Sequence, residues 1–172
     1  MWALQSFLAS SGPAIVATVE SPDLNVPAGP WTVACSVRRD GGNGPLLESL
    51  DGKVALLFEH DGFIASRVDD RVRVTTVPTE ALSGRWLALI VTRSESEVEI
   101  FVDGARIDSW PAADAVGING LRVMPDVDGA MRELVVAKAA IHETDIPGLV
   151  AYLKSSHGGV YAEYRRGAQP PS

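Results

Sequence analysis

The chain has 172 residues, of which 46% are hydrophobic and 22% charged, enough for one domain that buries about two-thirds of its unfolded surface. A formal net charge of −7 argues against nucleic acid, which needs a basic face, and no apolar run approaches the ~18 residues of a membrane span. The first residues, Met-Trp-Ala-Leu-Gln-Ser-Phe, carry no basic segment and are interrupted by Gln5 and Ser6. No secretory signal is expected. The expectation is a chain made in the cytoplasm and exported only as part of a larger particle.

Ala14 to Glu20 reads as a first strand, fenced by Gly12-Pro13 and Ser21-Pro22. After the Pro27-Ala-Gly-Pro30 turn, Trp31 to Val37 alternates, with Trp31, Val33, Cys35 and Val37 on one face. Cys35 has no partner for a disulfide and reads as a buried small hydrophobe rather than a reactive thiol. A glycine-rich loop follows to Pro45. Leu46–Leu50 and Lys53–Glu59 meet across Asp51-Gly52, a hairpin signal. His60-Asp61-Gly62 then leads into Phe63–Val68, and Asp69-Asp70 into Arg71–Val77.

Trp86 to Thr92 is apolar on both faces, with Leu87, Leu89 and Val91 on one and Trp86, Ala88 and Ile90 on the other. Such a strand belongs in the middle of a sheet that is covered on both sides. Glu97 to Val102 alternates strictly and closes on Asp103-Gly104. Ala105–Trp110, Ile118–Met124 and Met131–Lys138 are the last expected strands. Thr144 to His157 is the one expected helix, with Thr144 as cap and Ile146, Leu149, Val150 and Leu153 as its buried stripe. Strands at this close spacing, joined by Gly and Asp turns, predict an all-β antiparallel sandwich. Residues 1–157 form one domain in this reading, and 158–172 a flexible or docking tail.

The hairpin from Trp86 to Gly104 resembles the central hairpin of the concanavalin A-like and laminin G-like jelly-roll domains. The aromatic-led strand at Trp31 is similar to one in the same family. Asp126-Val-Asp-Gly129, followed by Met131-Arg-Glu-Leu134, resembles the family's closing element, with Arg132 where an acidic residue is usual. The resemblance spans Trp31 to Leu153. It implies a concanavalin A-like jelly roll with a short C-terminal helix, a scaffold that serves many functions.

The residues raise four chemistries. Glu95, Glu97 and Glu99 recur at alternate positions of a strand, about 7 Å apart, near the spacing of glycosidase carboxylates. The family's glycosidases set an Asp between two Glu, and a solvated strand face accounts for these three. Asp126 and Asp128, with Asp61, Asp69, Asp70 and Asp103, offer oxygens for calcium, though Asp-Gly turns use Asp for the turn itself. His60, His142 and His157 fall in no nucleophile motif. Glycan binding needs exposed aromatics beside planar polar groups. Trp110, Phe101, His60 and Asp61 are the candidate ligand-binding residues, while Trp31 and Trp86 are expected in the core.

The expected function is a non-catalytic recognition module with no cofactor, calcium being the one candidate. Its expected partner is a cell-surface glycan or a particle protein, with neither nucleic acid nor membrane insertion, and homo-oligomerisation is left open. A purely structural subunit and a glycoside hydrolase of the same fold are the alternatives.

Overall fold

A computed structural model describes residues 20–58, 63–68, 71–78, 84–112, 116–123, 128–155 and 162–164. The strands are β1 (Glu20–Val26), β2 (Trp31–Gly41), β3 (Gly44–Glu48), β4 (Val54–Phe58), β5 (Phe63–Val68) and β6 (Arg71–Pro78). They continue with β7 (Trp86–Arg93), β8 (Glu97–Val102), β9 (Ala105–Pro111), β10 (Ile118–Val123), β11 (Asp128–Ala137) and β12 (Ala162–Tyr164). Two six-stranded sheets form, in the orders β1-β10-β3-β4-β5-β6 and β12-β11-β2-β7-β8-β9. Every pairing is antiparallel. Among the described residues the fold is an all-β antiparallel sandwich with one short helix, as the strand spacing predicts, and the two sheets fit the jelly roll that the resemblance implies.

The alternation read from the sequence is the alternation that packs. Trp31, Val33, Cys35 and Val37 of β2, Leu87, Leu89 and Val91 of β7, and Val98, Ile100 and Val102 of β8 all enter the core between the sheets. Trp31 is fully buried, and its indole N–H donates to the Val116 carbonyl at 3.0 Å. That bond satisfies the polar tip of an otherwise apolar side chain. The opposite face of β7 is covered by helix α1 (Ile146–Lys154), whose Ile146, Leu149 and Leu153 pack on Ala34, Ala88, Ile90, Phe101 and Val135. β7 is apolar on both faces because it lies between a sheet and a helix.

Several element boundaries differ from the sequence reading. The strand expected over 14–20 falls outside the described residues before Glu20, and β1 runs on through Ser21-Pro22 instead of ending there. β1 is an edge strand whose register shifts between Ser21 and Asn25, so the N–H that Pro22 lacks costs no ladder bond. The helix is shorter than 144–157. Glu143–Asp145 is a 3₁₀ turn capped by His142, which accepts the Thr144 N–H, so Thr144 is the capped residue rather than the cap. Ser155 ends α1 in an extended conformation, its hydroxyl donating to the Tyr152 carbonyl at 2.6 Å. Within the segment expected as a tail, Ala162–Tyr164 pairs with Gly129–Met131 and extends the second sheet.

Two glycines are required by close approach. A side-chain carbon at Gly129 would meet the Arg38 carbonyl where β11 bulges against β2, and one at Gly117 would meet the Val26 carbonyl. The connection from β11 to the helix is pinned by Thr32, whose hydroxyl donates to the Ala139 carbonyl at 2.8 Å and accepts the Ile141 N–H at 2.9 Å.

Candidate functional site

Along the outer face of the second sheet, β2 sets Ala34, Ser36 and Arg38 opposite Ile90, Ala88 and Trp86 of β7. The helix covers this face as far as Ala88 and ends with Lys154, whose Nζ stands 3.2 Å from Asp103 Oδ1. Trp86, one outward position further along β7, is left half-buried. The Arg38 guanidinium lies over its indole, Cζ 5.3 Å from the ring centre. Asp40 holds that guanidinium by a two-pronged contact, Nε to Oδ1 at 3.1 Å and Nη2 to Oδ2 at 3.2 Å. A fork of this kind fixes the plane of the charge as well as its position. Arg85, exposed beside the indole in sequence, reaches Asp103 at 3.8 Å.

On the other side of β2, Arg39 stacks on Phe58, Cζ 5.4 Å from the ring centre. Its Nε donates to the Gly42 carbonyl at 2.9 Å and its own carbonyl accepts the Gly84 N–H at 2.8 Å. One rim of the sandwich therefore carries two guanidinium–aromatic pairs. Both guanidiniums are held by the chain's own groups, Arg38 by Asp40 and Arg39 by Gly42 and Asn43, and the half-buried indole of Trp86 lies beside the first of them.

His60 and Asp61 lie outside the described residues. Trp110 does not offer an exposed ring. It is 7% exposed and packs in the inter-sheet core, opposite Val98. The reason is its parity: Trp110 shares the face of Val98 and Ile100, which points inward. Phe101, expected outward among carboxylates, is 5% exposed because α1 lies over it. Trp86, expected in the core, is the half-buried aromatic instead. Sequence reasoning missed Trp86, Arg38 and Asp40 as a group; the Arg38-Arg39 doublet opposite an aromatic strand start is the signal that could have found them.

The glutamates do not form an acid–base pair beside an open aromatic. Glu95 is exposed, Glu97 and Glu99 are half-buried, and Glu99 Oε2 is held by Arg106 Nη1 at 3.2 Å. Among the described residues no group of three or more His, Cys, Asp or Glu side chains could hold a metal ion. Asp103 is engaged structurally, its Oδ1 accepting the Ala88 N–H at 2.9 Å. The side chain of Asp128 and all of Asp69, Asp70 and Asp126 lie outside the described residues.

A cross-strand ladder of charges lies on the outer face of the first sheet. Glu48 stands 3.7 Å from Arg67 and 3.4 Å from Arg122, and the ladder roofs Ala55, which is paired with both Glu48 and Arg67. At the rim opposite Trp86, Asp51 organises the β3–β4 hairpin. Its Oδ1 accepts the Ser49 hydroxyl at 2.7 Å and the Lys53 N–H at 3.1 Å, and its Oδ2 accepts Asn119 Nδ2 at 3.2 Å. Partial burial pulls the carboxyl's pKa upward. The hydrogen bonds from Ser49, Lys53 and Asn119, with the Lys53 charge, outweigh it and hold Asp51 below the usual carboxylate range.

Two internal features carry no site. An apolar cavity of about 20 Å³ lies between the sheets against Trp31, Val33, Leu56 and Leu121, too small for a sugar and without polar partners for a water. Burial pushes the Cys35 thiol up to about 12, which makes it inert at neutral pH.

No family model and no curated protein matches the chain in sequence. Solved structures resemble its fold. One is of botulinum neurotoxin type C, described as entering cells by interaction with two ganglioside molecules: 11% identity, TM-score 0.58, over 74% of this chain and 36% of that one. A second is the binding domain of botulinum neurotoxin DC in complex with rat synaptotagmin II: 10% identity, TM-score 0.56, over 75% and 37%. A third is Trypanosoma rangeli sialidase with 2,3-difluorosialic acid: 15% identity, TM-score 0.59, over 71% and 22%. This chain thus spans well under half the length of each of these three. At these identities the likeness establishes a shared jelly-roll sandwich.

Proposed function

We propose that the chain is a non-catalytic, glycan-binding recognition module of the concanavalin A-like and laminin G-like kind. In this reading it is an adhesion subunit of a larger surface assembly, such as a fibre, spike or decoration of a phage-like particle, made in the cytoplasm and displayed outside the cell. The observation that carries the reading is the half-buried Trp86 with Arg38 laid over it and locked by Asp40. An indole fixed in orientation by a stacked guanidinium supplies the rigid apolar surface on which the C–H face of a sugar can lie. Solved structures of the same fold concern a toxin that interacts with gangliosides and a sialidase with a sialic-acid analogue, which supports a glycan as ligand class. The pairing of Glu99 with Arg106 supports the non-catalytic half of the proposal.

A glycan array is the direct test. The wild-type chain is expected to bind a restricted set of cell-surface glycans, and Trp86→Ala to lose about tenfold or more in affinity while staying folded. A blank array with a folded wild-type chain would overturn the glycan reading. A purely structural subunit is the second reading, favoured by β12, which orders part of the C-terminal segment as a sheet strand. It predicts capture of a particle protein by the chain with no glycan bound.

A further inference from the structure

We infer a second carbohydrate contact, at the rim opposite Trp86, that takes a neutral sugar through two adjacent hydroxyls. Leu50 is the only large hydrophobic residue exposed among the described residues, at 37%. Its side chain is held in place by the local backbone. The Leu50 N–H donates to the Asn119 carbonyl at 3.2 Å, and Gly120, at φ +68, leaves the space its side chain occupies. Any side-chain carbon at position 120 would collide with Leu50. The hairpin thus sets one apolar side chain outward over a glycine.

Polar groups converge beside it. Asp51 stays ionised at neutral pH and uses Oδ1 for its own turn, while its Oδ2 receives only Asn119 Nδ2. Asn119 spends one N–H on that bond and keeps its second N–H and its carbonyl oxygen. Asn25 stands directly opposite Asn119 in the β1–β10 register, with the two Cβ atoms about 5 Å apart by strand geometry. Both amides are exposed, and the Asn25 side chain makes no hydrogen bond to the described residues.

This set matches a vicinal diol. Each sugar hydroxyl donates one hydrogen bond and accepts others; the carboxylate accepts and the two amides do both, while the C–H face of the ring can lie on Leu50. The positive charge of Lys53 acts on Asp51 and offsets part of its charge, which suits a neutral ligand. A protein partner is disfavoured, because one exposed leucine is far short of the roughly 1,000 Å² that a specific protein interface needs.

The test is an NMR titration of the full chain, ¹⁵N-labelled, with methyl α-mannoside, methyl α-glucoside and methyl β-galactoside. At least one is expected to shift the Asn25 and Asn119 side-chain amides together with the Leu50 backbone amide. Asn25→Ala and Leu50→Ser are each expected to weaken that binding about tenfold with the remaining spectrum unchanged. Trp86→Ala should leave it intact, which separates this site from the Trp86 rim. Tetrahydropyran, which lacks the diol, should produce no shift. The inference is overturned if none of the three glycosides shifts these amides, if the shifts disappear in Trp86→Ala, or if Asn25→Ala binds as wild type does.

Discussion

The Nζ of Lys154 stands 3.2 Å from Oδ1 of Asp103, joining the last turn of α1 to the β8–β9 hairpin. Asp103 is at φ +53, the only non-glycine at positive φ among the described residues, and the same Oδ1 accepts the Ala88 N–H. One carboxylate therefore completes a hairpin, replaces a ladder carbonyl and holds a helix end. Asp103→Ala is expected to cost about 2 kcal/mol in urea denaturation, through the lost acceptor and the left-handed backbone. Asp103→Asn, which tolerates that backbone and keeps an acceptor oxygen, should cost clearly less. Lys154→Met should cost under about 1 kcal/mol, since the lysine is largely exposed, and the cost should shrink in high salt.

Gly129 faces the Arg38 carbonyl across the β11–β2 bulge too closely for any side chain. Gly129→Ala should force the two strands apart and lower stability by about 2 kcal/mol, read as a drop in the melting midpoint. An equal result for Gly84→Ala, where a side chain would meet nothing, would point to glycine's backbone freedom instead of this contact.

Among the described residues, the hydroxyls of Ser36 and Ser66 are buried without a hydrogen-bond partner. An unpaired buried hydroxyl costs free energy that a methyl group does not. Ser66→Ala and Ser36→Ala should each stabilise the chain by about 1 kcal/mol. Thermal unfolding with unchanged or lower midpoints would contradict this.

Cys35 gives a prediction for alkaline pH. Burial raises its thiol pKa to about 12 in the folded chain, against an ordinary value of 9.0. Above pH 9 the unfolded chain loses this proton and the folded chain keeps it, so the unfolded state gains. Stability from this group is complete below pH 9 and falls as pH rises toward 12. Cys35→Ala should remove that part of the alkaline slope. The native thiol should also resist a thiol reagent at pH 8 and react once the chain is unfolded.

Much of the fold was legible because hydrophobic parity in a strand directly encodes which face is buried. β7 is the clearest instance: Leu87 and Leu89 against the other sheet, Ala88 and Ile90 against the helix. Parity carried across the hairpin from Val102 and Ala105 sets Trp110 opposite Glu97 and outward; the register shift between Ile100 and Phe101 adds a residue on β9 and turns the indole inward opposite Val98, which no local pattern announces. Phe101 was not legible either. Its outward parity was read correctly, but what covers that face is a helix some 45 residues later in the chain, and no local pattern carries that information. The Trp86–Arg38 stack and the Asn25–Asn119 pair have the same character. They join residues that are distant in sequence through sheet register, which only the assembled sheet reveals.

The place of β2 also has a consequence for how the chain comes to be folded. This strand leaves the ribosome early, yet its neighbours are β7 and β11, which follow it by some 50 and 100 residues, and the Trp31 indole is satisfied only by Val116. During synthesis, an apolar strand with two open edges must wait for most of the chain to arrive. Folding dominated by such distant pairings is slow and exposes sticky intermediates. Biosynthesis of this protein should therefore depend on chaperones far more than its stability once folded would suggest.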